Sequence, residues 1–177
     1  MRPLECDRER SPEYEHVLQD MRERARAYGH KHVDILLALL TLLTPQSAEK
    51  EGGWPWKRMK KARSNIALQI VEILVAREGF EVNALRSALW KRLACSVSCL
   101  PTEVFWSKRL KQALSSAENK RETLGPKHQL GCDHLLLGLL EHAESDLIEL
   151  FARFGVTKSA VYAEAVQLHS IATKRKK

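Results

Sequence analysis

The sequence carries the same ordered set of helix signals twice, and this repetition limits the possible folds more than any other feature. Ser11 and Ser107 stand 96 residues apart, and each precedes an amphipathic stretch. Residues 36–40 read LLALL and residues 136–140 read LLGLL, 100 residues apart. An ordered repetition of signals indicates a repeated supersecondary unit. The chain is therefore predicted to contain two copies of one unit.

A glycine followed by an apolar residue is a further shared signal. Gly79-Phe80 matches Gly155-Val156, but the spacing is only 76 residues. It is shorter because the first copy carries an insertion at 44–64. Gly29 and Gly125, which match at 96 residues, are predicted to end the first helix of each copy, as glycine often does.

Each copy is predicted to contain four helices, from apolar residues at spacings of three and four and from capping residues. In the first copy, Ser11 and Asp34 are the expected N-caps of the first two helices. In the second, Ser107 and Asp133 open the corresponding helices. The remaining predicted helices cover about 65–77, 82–93, 147–154 and 160–171.

The predicted organisation follows from these signals. It comprises a tail (1–10), a first repeat (11–93) with an insertion (44–64), a linker (94–106), a second repeat (107–171) and a basic tail (172–177).

The composition agrees with a folded helical protein that has a basic surface. Hydrophobic residues make up 44%, with only 8 Gly and 6 Pro, which favours a globular helical chain. The net charge of +7 favours anionic partners. Part of the excess lies in a candidate basic patch and part in the tail 174–177. The patch consists of Lys57, Arg58, Lys60, Lys61 and Arg63. Solvated basic loops are the simpler explanation for both runs.

A cytoplasmic location with reduced thiols is expected. The first residues are charged and lack the apolar core of a secretory signal. The longest apolar run, 33–43, is too short to span a bilayer, so no membrane association is expected.

Two segments carry a family resemblance: GCDHLLLGLLEH at 131–142 and LFARFGVTKSAV at 150–161. They resemble the repeat of the Clp N-terminal domain, which heads the Clp/Hsp100 unfoldases and also occurs in stand-alone relatives. The resemblance implies an all-α fold of two tandem four-helix repeats packed as a pseudo-twofold double bundle. It also implies a non-catalytic protein-binding module, acting as an accessory, adaptor or substrate-recognition component. Its expected partners are a Clp ATPase or protease subunit, or degradation substrates.

The resemblance also selects candidate binding residues. In related domains, caps and acidic residues of the two Gly-Thr-Glu-His motifs take part in binding, in one branch to phosphoarginine. Ser11 and Ser107 match the caps, and Asp133 matches the acid. Asp34 is a shifted match, because the first repeat is shorter there. The simpler alternative for the two aspartates is helix capping.

Trp54 and Trp56 in the insertion are candidate anchors for a protein partner, since exposed tryptophan often marks an interface. The alternative is that they cover the core of their own repeat. The neighbouring cations would steer an acidic partner.

The sequence gives little support for an enzyme or for a bound cofactor or metal. The sequence contains no Gly-Lys dipeptide, hence no P-loop, and no Gly-x-Ser-x-Gly or His-Glu-x-x-His motif. Cys132 and His134 could be interpreted as a nucleophile pair, but packing at the start of a helix explains these residues more simply. The spacing of Cys95, Cys99, His128, Cys132 and His134 fits no zinc pattern. We expect no enzyme activity, metal or cofactor.

The alternative function is that of a basic helical nucleic-acid-binding protein. The charge and the basic run beside tryptophans favour it. No recognition-helix signature supports it, so it ranks second.

Overall fold

The computed structural model describes residues 10–44, 65–93, 101–124 and 129–174. These ranges contain eight helices and two strands of two residues. The elements are α1 (Pro12–Ala27), β1 (His32–Val33), α2 (Ile35–Leu42), α3 (Ile66–Arg77), α4 (Val82–Arg92), β2 (Phe105–Trp106), α5 (Lys108–Leu124), α6 (Cys132–His142), α7 (Ser145–Arg153) and α8 (Lys158–Lys174). The predicted all-α class is confirmed. No membrane-spanning segment is found among the helices of the described ranges.

The predicted caps of the first helix in each repeat are present. Ser11 Oγ accepts a hydrogen bond from Tyr14 N–H at 3.2 Å, and Ser107 Oγ accepts one from Leu110 N–H at 3.1 Å. Each hydroxyl satisfies a backbone donor that has no partner within its helix. The two first helices therefore start for the same local reason.

Glycine ends a helix at three places in the described part of the chain. Gly29, Gly79 and Gly155 have φ values of 73°, 77° and 75°, the left-handed region that glycine enters without a Cβ penalty. The residue after each glycine donates its N–H to a carbonyl five residues earlier, at 2.8 to 3.0 Å. These are the hydrogen bonds of a Schellman-type helix end. The predicted match between Gly79 and Gly155 is thus a match of backbone geometry.

The two repeats exchange equivalent backbone hydrogen bonds. Ser107 N–H donates to Val33 O at 3.0 Å, and Ser11 N–H donates to Leu130 O, also at 3.0 Å. β1 and β2 pair in parallel, and Arg10 forms a parallel bridge with Leu130. The start of each repeat therefore lies beside the residues that precede the second helix of the other repeat. This reciprocity is the pseudo-twofold arrangement that the resemblance implied.

The strands themselves were not predicted, and β2 lies within the segment expected to be a linker (94–106). A two-residue strand is too short to leave an alternating apolar pattern in the sequence. The hydrogen-bonding partner of each strand belongs to the other repeat, so the pairing is decided only when the two repeats pack together.

The second helices of the two repeats form the centre of the core. α2 and α6 are buried over nearly their whole circumference, as expected for helices with few polar residues. Gly138 lets α6 approach α5 closely: a Cβ at this position would lie 2.3 Å from the carbonyl oxygen of Ala113.

Helix α6 is one turn longer than α2 at its N-terminus. The two helices end at Leu42 and His142, 100 residues apart, whereas the equivalent carbonyls of Val33 and Leu130 are 97 residues apart. The additional turn is 132–134. The predicted shortening of the first repeat is therefore the loss of the first turn of its second helix.

Candidate functional site

Two pockets contain the four candidate residues that the structure describes. Asp34 and Ser107 line a pocket of about 380 Å³, which we call the Asp34 pocket. Ser11 and Asp133 line a pocket of about 450 Å³, which we call the Asp133 pocket. Each pocket thus combines a residue of the first repeat with one of the second.

Each pocket lies where three helices begin. The N-termini of α2, α5 and α7 contribute to the Asp34 pocket, and those of α1, α3 and α6 to the Asp133 pocket. Helix N-termini carry partial positive charge and unpaired N–H groups, which favour negatively charged groups. The two pockets are therefore equivalent by pseudo-symmetry in backbone, but they differ in side chains.

The candidate residues of the Asp34 pocket act as helix caps. Asp34 Oδ1 accepts from Leu37 N–H at 2.8 Å, and Ser107 caps α5. The capping alternative for Asp34 is therefore correct as local structure. Asp34 is also exposed at the pocket, so capping and ligand contact do not exclude one another.

Two ion pairs lie at this pocket. Arg92 Nη1 is 2.7 Å from Asp146 Oδ2, which joins α4 to α7, and Arg109 pairs with Glu144. The third cation of the lining, Lys108, has no ion-pair partner among the described residues. Exposed pairs of this kind contribute little stability, so a ligand can compete for them at low cost.

The carboxylate of Asp133 is buried rather than exposed. Its residue is only 1% exposed, its Oδ2 lies 2.7 Å from His169 Nε2, and its Oδ1 lies 3.0 Å from His134 Nδ1. Burial acts to raise the pKa of Asp133, but the pairing with His169 and the neighbouring imidazole of His134 outweigh burial and hold the pKa well below its usual range. The pairing with His169 also raises the pKa of that imidazole.

The prediction that Asp133 caps α6 is wrong. Helix α6 begins at Cys132 with Gly131 as N-cap, and Gly131 N–H donates to His134 Nδ1 at 3.1 Å. One imidazole nitrogen cannot accept this bond and donate to Asp133 at the same time. His169, at the shorter distance, is therefore the principal charged partner of Asp133.

Cys132 is not poised for nucleophilic chemistry. Burial, with the negative charge of Asp133, raises the pKa of the thiol to about 12. Little thiolate exists near neutral pH at such a pKa, and the thiolate is the reactive form.

No cluster of three or more potential metal ligands occurs among the residues described in the structure. Cys95, Cys99 and His128 lie outside them, as do Gly125, the anchors Trp54 and Trp56, the basic patch and residues 175–177.

Comparison with solved structures identifies the architecture. The chain superimposes on the Hsp104 N-terminal domain from Candida albicans with a TM-score of 0.64 and 18% identity, covering 91% of both chains. The N-domain of ClpV from Vibrio cholerae gives 0.64 and 16% identity, covering 94% of this chain and 93% of the other. The N-terminal domain of ClpD from Arabidopsis thaliana gives 0.55 and 15%, covering 90% and 96%.

The chain has the fold of a Clp N-terminal domain. No protein-family model matches the sequence, and neither does any curated protein. The likeness is therefore carried by the fold and by the order of the two repeats.

Several residues at the two pockets of this Clp N-domain-like fold were missed by sequence reasoning. His169 is 36 residues from Asp133, and they meet only because α8 packs against α6. Arg92 comes from the first repeat and its partner Asp146 from the second. Only the pseudo-symmetry of the two repeats could have pointed to them, because a pocket between two repeats should be lined by residues from each repeat.

Proposed function

We propose that this chain is a protein-binding module of a Clp-type chaperone or protease system, acting as an accessory, adaptor or substrate-recognition component. The observation that supports this best is the pair of pseudo-equivalent pockets on a Clp N-domain-like fold, each at the start of three helices. One of the similar structures is described as a caseinolytic-protease-associated chaperone.

The proposed binding residues are Asp34 and Ser107 in one pocket, and Ser11 and Asp133 in the other. Trp54 and Trp56 are proposed as additional anchors from the insertion. The chemistry of the described groups supports binding rather than catalysis, because the Cys132 thiol is held protonated and the Asp133 carboxylate is held by histidine.

The test is direct binding of the purified chain to the Clp ATPases of the organism that encodes it. We expect a saturable complex by biolayer interferometry, and a changed rate of degradation of a Clp substrate when the chain is added. A variant lacking 44–64 measures the contribution of the insertion. No complex with any Clp ATPase or protease subunit, together with an unchanged degradation rate, would refute the proposal.

The same purified chain is used to test the alternative function, binding to nucleic acid. Phosphate contacts by the basic run would make binding fall steeply with salt. A gel-shift assay at low salt that shows no complex with DNA or RNA removes this alternative.

A further inference from the structure

We propose that the Asp34 pocket binds an extended segment of a partner protein in which a carboxylate stands next to apolar side chains. The inference rests on the proposed function, because it names the site and the partner chemistry of that binding module.

The lining of the pocket contains three cations and three carboxylates, and one of the cations is left without an ion-pair partner among the described residues. Glu144 and Asp146 are paired with arginines, and Asp34 is bonded to the start of α2. Lys108 is the cation without an ion-pair partner within the described ranges, and it is the first residue of α5. Its ammonium adds to the partial positive charge of that helix N-terminus. A carboxylate from a partner would complement both.

The pocket also has an apolar side that a free anion would not use. Ile35, Leu36 and Leu147 contribute to its lining. Next to it, the rings of His32 and Phe105 lie with their centroids 6.2 Å apart, and Phe105 is 54% exposed, the highest fraction among the large hydrophobic residues described.

The register of the two strands places this ring pair on the pocket side. His32 pairs with Phe105. Asp34 continues β1 with an extended backbone, and Ser107 N–H continues the ladder of β2 by donating to Val33 O. Residues i and i+2 of extended chain share a face, so His32 lies on the same face as Asp34, and Phe105 on the same face as Ser107. Since Asp34 and Ser107 line the pocket, the ring pair forms an apolar edge beside it. An exposed aromatic edge next to an unpaired cation matches a carboxylate that adjoins apolar side chains.

The composition of the pocket argues against a polyanion. Its three carboxylates would repel successive phosphates, whereas a single carboxylate needs only Lys108 and the helix N-terminus. The Asp133 pocket lacks these features. Its described lining contains neither lysine nor arginine, and its buried carboxylate is held by His169.

The experiment is fluorescence anisotropy of labelled synthetic peptides with the full chain. Three peptides share one Gly/Ser frame and carry Asp-Leu-Phe, Asn-Leu-Phe or Asp-Ser-Ser at the centre. We expect the first to bind about tenfold more tightly than either of the others, as loss of one charged or anchoring contact predicts. Equal affinity for the three peptides, or binding of none, would overturn the proposal.

Two charge reversals on α5 locate the site. Lys108→Glu should weaken binding of the Asp-Leu-Phe peptide about tenfold or more. Lys111→Glu, an exposed position on the same helix, is the matched control and should leave the affinity unchanged. Phe105→Ser should weaken binding severalfold. Circular dichroism verifies that each variant folds. Equal losses for Lys108→Glu and Lys111→Glu would show attraction by net charge and refute the site.

Inorganic phosphate and a single-stranded oligonucleotide serve as competitors. Little displacement of the peptide by either at physiological salt is expected, and displacement by the oligonucleotide at low concentration would contradict a protein partner. The outcome is independent of the Clp binding test. Peptide binding that depends on Lys108 without any Clp complex would refute the proposed function alone. A Clp complex without peptide selectivity would refute this inference alone.

Discussion

The guanidinium of Arg22 lies over the ring of Trp106, with its central carbon 4.6 Å from the ring centroid. Arg22 belongs to the first helix of the first repeat, and Trp106 directly precedes Ser107, the N-cap of the first helix of the second. At the pseudo-equivalent place, Arg10 Nη2 lies 3.4 Å from Glu118 Oε1. Positions 10 and 106, and positions 22 and 118, are each 96 residues apart. One contact between the repeats is thus made by cation–π stacking on one side and by an ion pair on the other.

The Arg22–Trp106 contact should stabilise the packing of the repeats measurably. A double-mutant cycle with Arg22→Gln and Trp106→Leu should give a coupling energy of about 0.5 to 1 kcal/mol in urea unfolding, the usual value for an exposed cation–π pair. The cycle for Arg10→Gln and Glu118→Gln is the control, and its coupling should largely disappear at about 1 M salt because the pair is exposed. A coupling near zero for Arg22 and Trp106 at low salt would contradict this account.

The two equivalent glycines after α3 and α7 should differ in their tolerance of alanine. Both have positive φ, so Gly79→Ala should cost about 1 kcal/mol in backbone strain alone, since no atom lies within 4 Å of the added Cβ. Gly155→Ala should cost about 1 kcal/mol more, because its Cβ would lie 2.4 Å from Glu78 Cγ. Chemical denaturation of the two variants measures the difference.

Removing the obstructing side chain provides the control. In a Glu78→Ala background, the costs of Gly79→Ala and Gly155→Ala should converge. If Gly155→Ala remains the more costly substitution there, the cause is not the contact with Glu78.

The close approach of α5 and α6 should make Gly138 intolerant of any side chain. Gly138→Ala should lower the free energy of unfolding by about 1 to 3 kcal/mol, because its Cβ would meet the Ala113 carbonyl and the helices would have to separate. Ser115→Ala, an exposed substitution on α5, should change stability little. Thermal unfolding followed by circular dichroism compares the two. An unchanged midpoint for Gly138→Ala would show that the helices have room to separate.

The Asp133–His169 pair should make stability depend on pH. The pKa of Asp133 is lowered from its ordinary 3.8, so its contribution is complete above that value and is lost as the pH falls through the lowered pKa. The pKa of His169 is raised from its ordinary 6.5, so its contribution is complete below 6.5 and is lost as the pH rises through the raised pKa. The pair therefore stabilises the fold most between these two values.

His169→Gln tests this window, because glutamine keeps a donor for Asp133 but cannot become charged. The variant should be less stable than the original chain by about 1.5 kcal/mol near pH 5.5, and the gap should shrink above pH 6.5. His16→Gln, exposed on α1, is the control. A gap that stays constant from pH 5 to about pH 9 would mean that His169 acts through packing rather than charge.

The sequence by itself determined the helices, most of their ends and the order of the two repeats. Ser11, Asp34 and Ser107 cap the helices they were predicted to cap, and Gly29, Gly79 and Gly155 lie just after helix ends. These features depend on interactions within about five residues, so local patterns are sufficient to predict them. Asp133 is the exception, because its carboxylate pairs with His169 instead of capping the backbone.

Only the tertiary structure decided what each predicted residue does at a pocket. The sequence treats Asp34 and Asp133 alike, yet one is exposed at a pocket that Lys108 also lines and the other is buried against His169. The difference comes from an additional helical turn and from the packing of α8 against α6, which bring together residues far apart in the chain. Burial and charge pairing depend on such long-range contacts, and the periodicity of a single helix does not contain them.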